Sequence, residues 1–83
     1  MESFVRDVLR DRGDLTRAVD TLAAHDDLFD AGLTSFGTVE VMLAMEEQLG
    51  VSFPEHLLRR ATFGSIAALG AAAEELRRLS VGV

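Results

Sequence analysis

Apolar residues recur at one-turn spacing along most of the chain. Phe4, Val5, Val8 and Leu9 share a face from about Ser3 to Arg12, which predicts an amphipathic helix stopped by Gly13. From Asp14 to Thr34 the period is lost. That stretch holds Leu15, Val19, Leu22, Leu28, Phe29 and Leu33, with turn residues at Asp26-Asp27 and Ala31-Gly32. A loop this long in a small domain is pinned by its apolar residues, or functional, or both. Helical spacing then resumes: Thr34 or Ser35 offers a capping hydroxyl, the helix runs to Leu49, and Gly50 ends it. Val51-Ser52-Phe53 reads as an extended link, and Pro54 suits the first turn of a brief helix through Arg59. Thr62 is expected to cap a last helix in which Phe63, Ile66, Gly70, Ala73 and Leu76 share a face. Arg77 and Arg78 lie in its final turn, where the helix dipole favours cations. No period-two alternation runs beyond a few residues. The expectation is an all-α fold, a small bundle of four helices with a short third helix and a long first loop.

The second helix carries two apolar stripes. Val41, Met42, Met45 and Leu49 form one. Phe36, Val39 and Leu43 form another on the opposite side, flanked by Glu40, Glu46 and Glu47. A small bundle needs one stripe for its core. The second, rimmed with carboxylates, fits a partner with an apolar groove and basic surroundings; the other possibility is a helix buried on both sides by the long loop.

Eighty-three residues, 48% of them apolar, make one domain (residues 1–83) with a single core. The net charge is −6 and is unevenly placed. All eight basic residues are Arg, and none lies between Ala18 and Leu58, where eight acids sit. Such a chain is a poor match for nucleic acid or an anionic lipid surface, both of which call for clustered cations. The first residues carry acids where a signal peptide needs net positive charge, and the longest uncharged run, Ala61 to Ala73, falls short of the roughly 20 residues that span a bilayer. A soluble, cytoplasmic monomer is expected.

Catalysis by the chain itself is not expected. Cysteine is absent, and the two histidines, His25 and His56, show no metal-ligand spacing. Asp26-Asp27-Leu28-Phe29-Asp30 fails as a calcium loop, with Leu28 at a ligand position, Ala31 at the glycine and Gly37 at the bidentate acid. A hydrolase built on Ser35 and His25 would need a pocket and an oxyanion hole. Ser35 stands out for another reason. It is a hydroxyl at a helix start, where an esterified phosphate would meet the positive end of the dipole and free backbone N–H groups. Simple capping is the competing role.

The run Asp27-Leu28-Phe29-Asp30-Ala31-Gly32-Leu33-Thr34-Ser35-Phe36-Gly37-Thr38-Val39-Glu40-Val41 resembles the attachment region of the acyl carrier proteins. Met45-Glu46-Glu47-Gln48-Leu49-Gly50-Val51-Ser52-Phe53-Pro54 is similar to the end of that family's second helix and the loop after it. The resemblance implies a carrier whose Ser35 receives 4'-phosphopantetheine from coenzyme A through a phosphopantetheinyl transferase. The prosthetic thiol would then hold an acyl or aminoacyl group as a thioester. It also implies that the second helix docks on basic patches of a ligase and of downstream synthases or transferases, through Thr34, Phe36, Val39, Glu40, Leu43, Glu46 and Glu47. Thr34 and Gly37 stand where the family often has acids. With the following Met-rich helix, these changes resemble specialised stand-alone bacterial carriers, some charged with an amino acid by ligases similar to the seryl-tRNA synthetase core. A reading of another class is an acidic helical adaptor with no prosthetic group. Ala44, Ala67, Ala68 and Ala71 to Ala73 leave open both a roomy interior for cargo and a tightly packed one.

Overall fold

The computed structural model describes residues 1–81, so the last two residues of the expected domain lie outside it. Every regular element among the described residues is helical. Helix α1 spans Glu2–Val8 and continues into a π turn, Leu9–Gly13. Its expected stop comes one residue late: Asp14, not Gly13, takes the left-handed conformation (φ 52°), which Asp tolerates better than most residues. Helix α2 spans Ser35–Leu49 and ends on Gly50 at φ 69°, as expected of a glycine stop. Helix α3 spans Ile66–Val81.

The described residues thus form three α-helices. Where a short third helix was expected from Pro54 to Arg59, the chain makes two single 3₁₀ turns, Glu55–Leu57 and Arg60–Phe63. These turns place Leu57, Thr62 and Phe63 inside. Phe63 stacks on Phe53 with ring centroids 5.6 Å apart. Thr62 is therefore buried rather than capping. The hydroxyl at the start of α3 belongs to Ser65, whose Oγ accepts from the Ala68 N–H at 3.0 Å. The inward face of α3 is Ile66, Leu69, Ala72, Ala73 and Leu76; Gly70, expected on that face, turns away from it, and a Cβ there would meet no neighbour within 4 Å. The small side chains of Ala44, Ala72 and Ala73 are close to fully buried.

The core joins Val5, Val8 and Leu9 of the first helix with Val41 and Met45 of α2 and Ile66, Leu69 and Leu76 of α3. The long loop is pinned to it by Val19, Leu22, Leu28, Ala31 and Leu33. Polar contacts reinforce the pinning. The Arg6 guanidinium donates to the carbonyls of Val19 and Leu22, each at 2.9 Å. Leu28 N–H donates to the Gly64 carbonyl (2.9 Å), and Ala67 N–H to that of Ala24 (2.9 Å). Between Asp7 and Asp20, Arg10 hydrogen-bonds both; its bond to Asp20 holds that carboxyl below the usual carboxylate range. This pair is exposed and adds little to the fold. His56 of the first 3₁₀ turn pairs with Glu75 of α3.

Gly37 has a packing role that its place in the sequence hides. It is buried in the first turn of α2, and a Cβ there would sit 2.9 Å from the Gly13 carbonyl oxygen. The glycine lets the start of α2 lie against the end of the first helix. Placing an acid at this position, Gly37→Asp, is expected to destabilise the protein by about 1–3 kcal/mol through overpacking and a buried charge. Urea denaturation of the variant beside the native chain measures it, and an unchanged midpoint would refute the packing role.

Candidate functional site

The turn Asp27–Gly32 prepares the start of α2. Asp27 Oδ1 accepts the Phe29 N–H at 2.9 Å, an Asx turn that orders the chain locally. Leu33 N–H donates to the Leu28 carbonyl at 2.9 Å, and Leu33 is buried. The next residue, Thr34, is extended (φ −90°, ψ 170°), and its Oγ1 accepts the Gly37 N–H at 3.0 Å. Thr34 is thus the cap, and it does without charge the work an Asp would do there. Ser35 begins the helix one residue further on, exposed, with its hydroxyl outside the cap.

Ser35 opens onto a groove of about 530 Å³ lined by Phe29, Leu33, Thr34, Thr38 and Arg60. Arg60 comes from the second 3₁₀ turn and lies over the Phe29 ring, its guanidinium carbon 3.8 Å from the ring centroid. The groove therefore combines an exposed nucleophilic hydroxyl, a helix N-terminus, an apolar wall and a fixed cation. A phosphate ester at Ser35 is compatible with all four. Next to it, a depression of about 260 Å³ is lined by Thr38, Val39, Met42, Leu58, Arg59, Arg60 and Phe63.

The two stripes of α2 separate as their spacing indicated. Val41 and Met45 are fully buried, and Met42 and Leu49 pack partly against the core. On the other side Phe36 is 76% exposed, Val39 48% and Leu43 46%. Glu47 is exposed and Glu40 half-buried beside them. Glu46 also holds the loop after α2, because its carboxylate accepts the Phe53 N–H at 2.7 Å. Exposed Leu58 borders the same depression as Val39 and enlarges the apolar surface. Sequence reasoning missed Leu58, Arg60 and Phe29 at this site, because two stretches of chain distant from α2 in sequence, the long loop and the connection before α3, bring them there. The one signal in the sequence was that Arg59-Arg60 resumes basic charge directly after the acidic central segment. His25 and His56 do not line the Ser35 groove, and no cluster of metal-ligating side chains occurs among the described residues. No helix among them is long and apolar enough to cross a membrane.

Comparison with known proteins agrees with this geometry. Residues 4–72 match the family described as "Phosphopantetheine attachment site". An aminoacyl carrier protein of Agrobacterium fabrum is 44% identical over 69 residues, 83% of each chain. In a crystal structure, an Agrobacterium tumefaciens carrier protein is complexed with an engineered Bradyrhizobium japonicum glycine:[carrier protein] ligase and AMP. That structure matches with a TM-score of 0.84 at 40% identity, over 89% of this chain and 99% of the other. A solution structure of an A. tumefaciens protein matches over the whole of both chains, with a TM-score of 0.75 and 36% identity. The adaptor reading, which has no prosthetic group, is set aside by these matches. The chain belongs to the phosphopantetheine-attachment family: it is a carrier protein and not a catalyst, and its cofactor is covalently bound 4'-phosphopantetheine.

Proposed function

We propose that Ser35 is the attachment residue and that the loaded protein carries an amino acid as a thioester. The observation that carries this reading is the division of labour at the start of α2. Thr34 satisfies the backbone, which leaves the Ser35 hydroxyl exposed at the positive end of the helix. A phosphopantetheinyl transferase would join the Ser35 oxygen to the phosphorus of coenzyme A that bears the pantetheine. The pyrophosphate bond breaks, adenosine 3',5'-bisphosphate leaves, and the serine proton passes to a base on the transferase. Dependence on coenzyme A supports a cytoplasmic setting for this loading.

The aminoacyl cargo is supported by the 44% identical aminoacyl carrier protein and by the structural relative held by a glycine:[carrier protein] ligase. Such a ligase would join the amino acid to the prosthetic thiol with ATP cleaved to AMP and pyrophosphate. Docking falls to the exposed stripe Phe36, Val39 and Leu43, with Thr34 at its head and Glu40, Glu46 and Glu47 steering a basic partner. Of the three acids, Glu47 is the freest to do so, since Glu46 is engaged by Phe53. Downstream enzymes that take the cargo would read the same face. Within this reading the two turns between Glu55 and Phe63 take the place of the short third helix in the four-helix layout of the acyl carrier proteins, and the carrier acts as a monomer.

Intact mass after incubation with a broad-specificity transferase, magnesium and coenzyme A tests the attachment. A single phosphopantetheine adduct is expected, mapped to Ser35 by fragmentation. An adduct mapped to any other residue would sink the assignment.

A further inference from the structure

Arg60 is the feature that neither the packing nor the attachment chemistry accounts for. It is exposed, yet it is held: its guanidinium lies 3.8 Å from the centre of the Phe29 ring, and both side chains line the Ser35 groove. Arg6, Arg10, Arg12 and Arg77 are each paired with a carboxylate; Arg60, like Arg17 and Arg59, has no described carboxylate within ion-pair distance, but of these three only Arg60 lines the Ser35 groove. It is also the one cation lining that groove, in the part of the fold built by the acidic central segment.

We propose that Arg60 is a positioning residue for the prosthetic group, receiving the phosphodiester esterified to Ser35 as its counter-charge. The inference rests on the Ser35 reading above. A phosphodiester carries one negative charge, and among acids such as Asp30 and Glu40 it would be repelled from the protein surface. A guanidinium offers it a fork of N–H donors, and stacking on Phe29 restricts that fork before the phosphate arrives, so less freedom is lost on pairing. The consequence is directional. With its first bonds held toward Phe29 and Leu33, the arm leaves the protein along the groove beside Thr38 instead of sweeping freely around Ser35. Lysine could supply the charge but not the stacked, forked geometry.

The test uses holo protein prepared from the native chain and from Arg60→Gln, Arg60→Lys, Phe29→Leu and, as a neighbouring control, Arg59→Gln. Intact mass is read first. Absence of an adduct on the native chain would overturn the Ser35 reading, and this proposal with it. With the adduct in place, the Arg60 Nε–H resonance is expected to move between apo and holo native protein. The holo ³¹P resonance is expected to shift in Arg60→Gln, to shift less in Arg60→Lys and Phe29→Leu, and to stay in place in Arg59→Gln. At low salt the native holo form should melt about 2–4 °C above the apo form. That difference should shrink in Arg60→Gln, where only the helix N-terminus still favours the phosphate, and at about 1 M salt, where screening reaches within roughly 3 Å. An Arg60 Nε–H resonance identical in apo and holo native protein would overturn the proposal, whether or not the Arg60 variants fold. So would an unchanged ³¹P resonance in folded Arg60→Gln.

Discussion

Ser35→Ala is expected to lose phosphopantetheine loading completely while remaining within about 0.5 kcal/mol of native stability. The two halves of this outcome come from different atoms. In the proposed reading the Ser35 oxygen is the nucleophile, and no neighbouring side chain replaces it: Thr34 Oγ1 is engaged by the Gly37 N–H, and Thr38 Oγ1 donates to the Thr34 carbonyl at 2.9 Å. Stability is spared because Ser35 is exposed and its hydroxyl is not the cap. Thr34→Ala should give the mirror image, losing about 1 kcal/mol of stability through the lost cap while still accepting the adduct. Intact mass and thermal melting on the two variants read both halves. If Ser35→Ala were destabilised and Thr34→Ala were not, the assignment of cap and nucleophile would be reversed.

Met45→Ala is expected to cost about 2–5 kcal/mol, whereas Leu43→Ala, two residues away on the same helix, should cost less than about 1 kcal/mol. Met45 is completely buried in the core, so truncation leaves a cavity. Leu43 is 46% exposed and loses contact mainly with water. For an 83-residue domain of ordinary stability, the first loss approaches the whole folding free energy. The order reverses when binding is read: Leu43→Arg should weaken docking on an aminoacyl ligase by roughly 10-fold or more, since it places a charge in the centre of an apolar patch. Denaturant titration and calorimetric binding with the two sets of variants separate the stripes. Equal losses of stability at Met45 and Leu43 would mean that both faces are buried and that α2 has no docking side.

Much of this organisation is readable in the linear chain because it depends on local periodicity. The 3.6-residue repeat separates Val41 and Met45 from Phe36, Val39 and Leu43 whatever the rest of the fold does, and Gly50 ends α2 as its sequence indicates. The motif around Ser35 is contiguous, so it too is legible without a structure. Local signals mislead where tertiary packing competes with them. Thr62 has the right chemistry to cap a helix, but it is drawn inside as Phe63 stacks on Phe53, and Ser65 takes the cap instead. Pro54 suits a helical first turn, yet the residues after it make only 3₁₀ turns, because Leu57 and Phe63 both have to reach the core within one short connection.

The chain by itself therefore determines the helical class, the limits of α2, its two faces and the serine at its head, since each follows from neighbours within a turn or two. Only the folded structure decides which hydroxyl caps α2, why position 37 has to be glycine, and that Arg60 and Phe29 share a groove with Ser35. Those outcomes depend on segments brought together from positions 13, 29, 35 and 60. Contacts between such distant positions arise from burying one common core, and no local pattern encodes them.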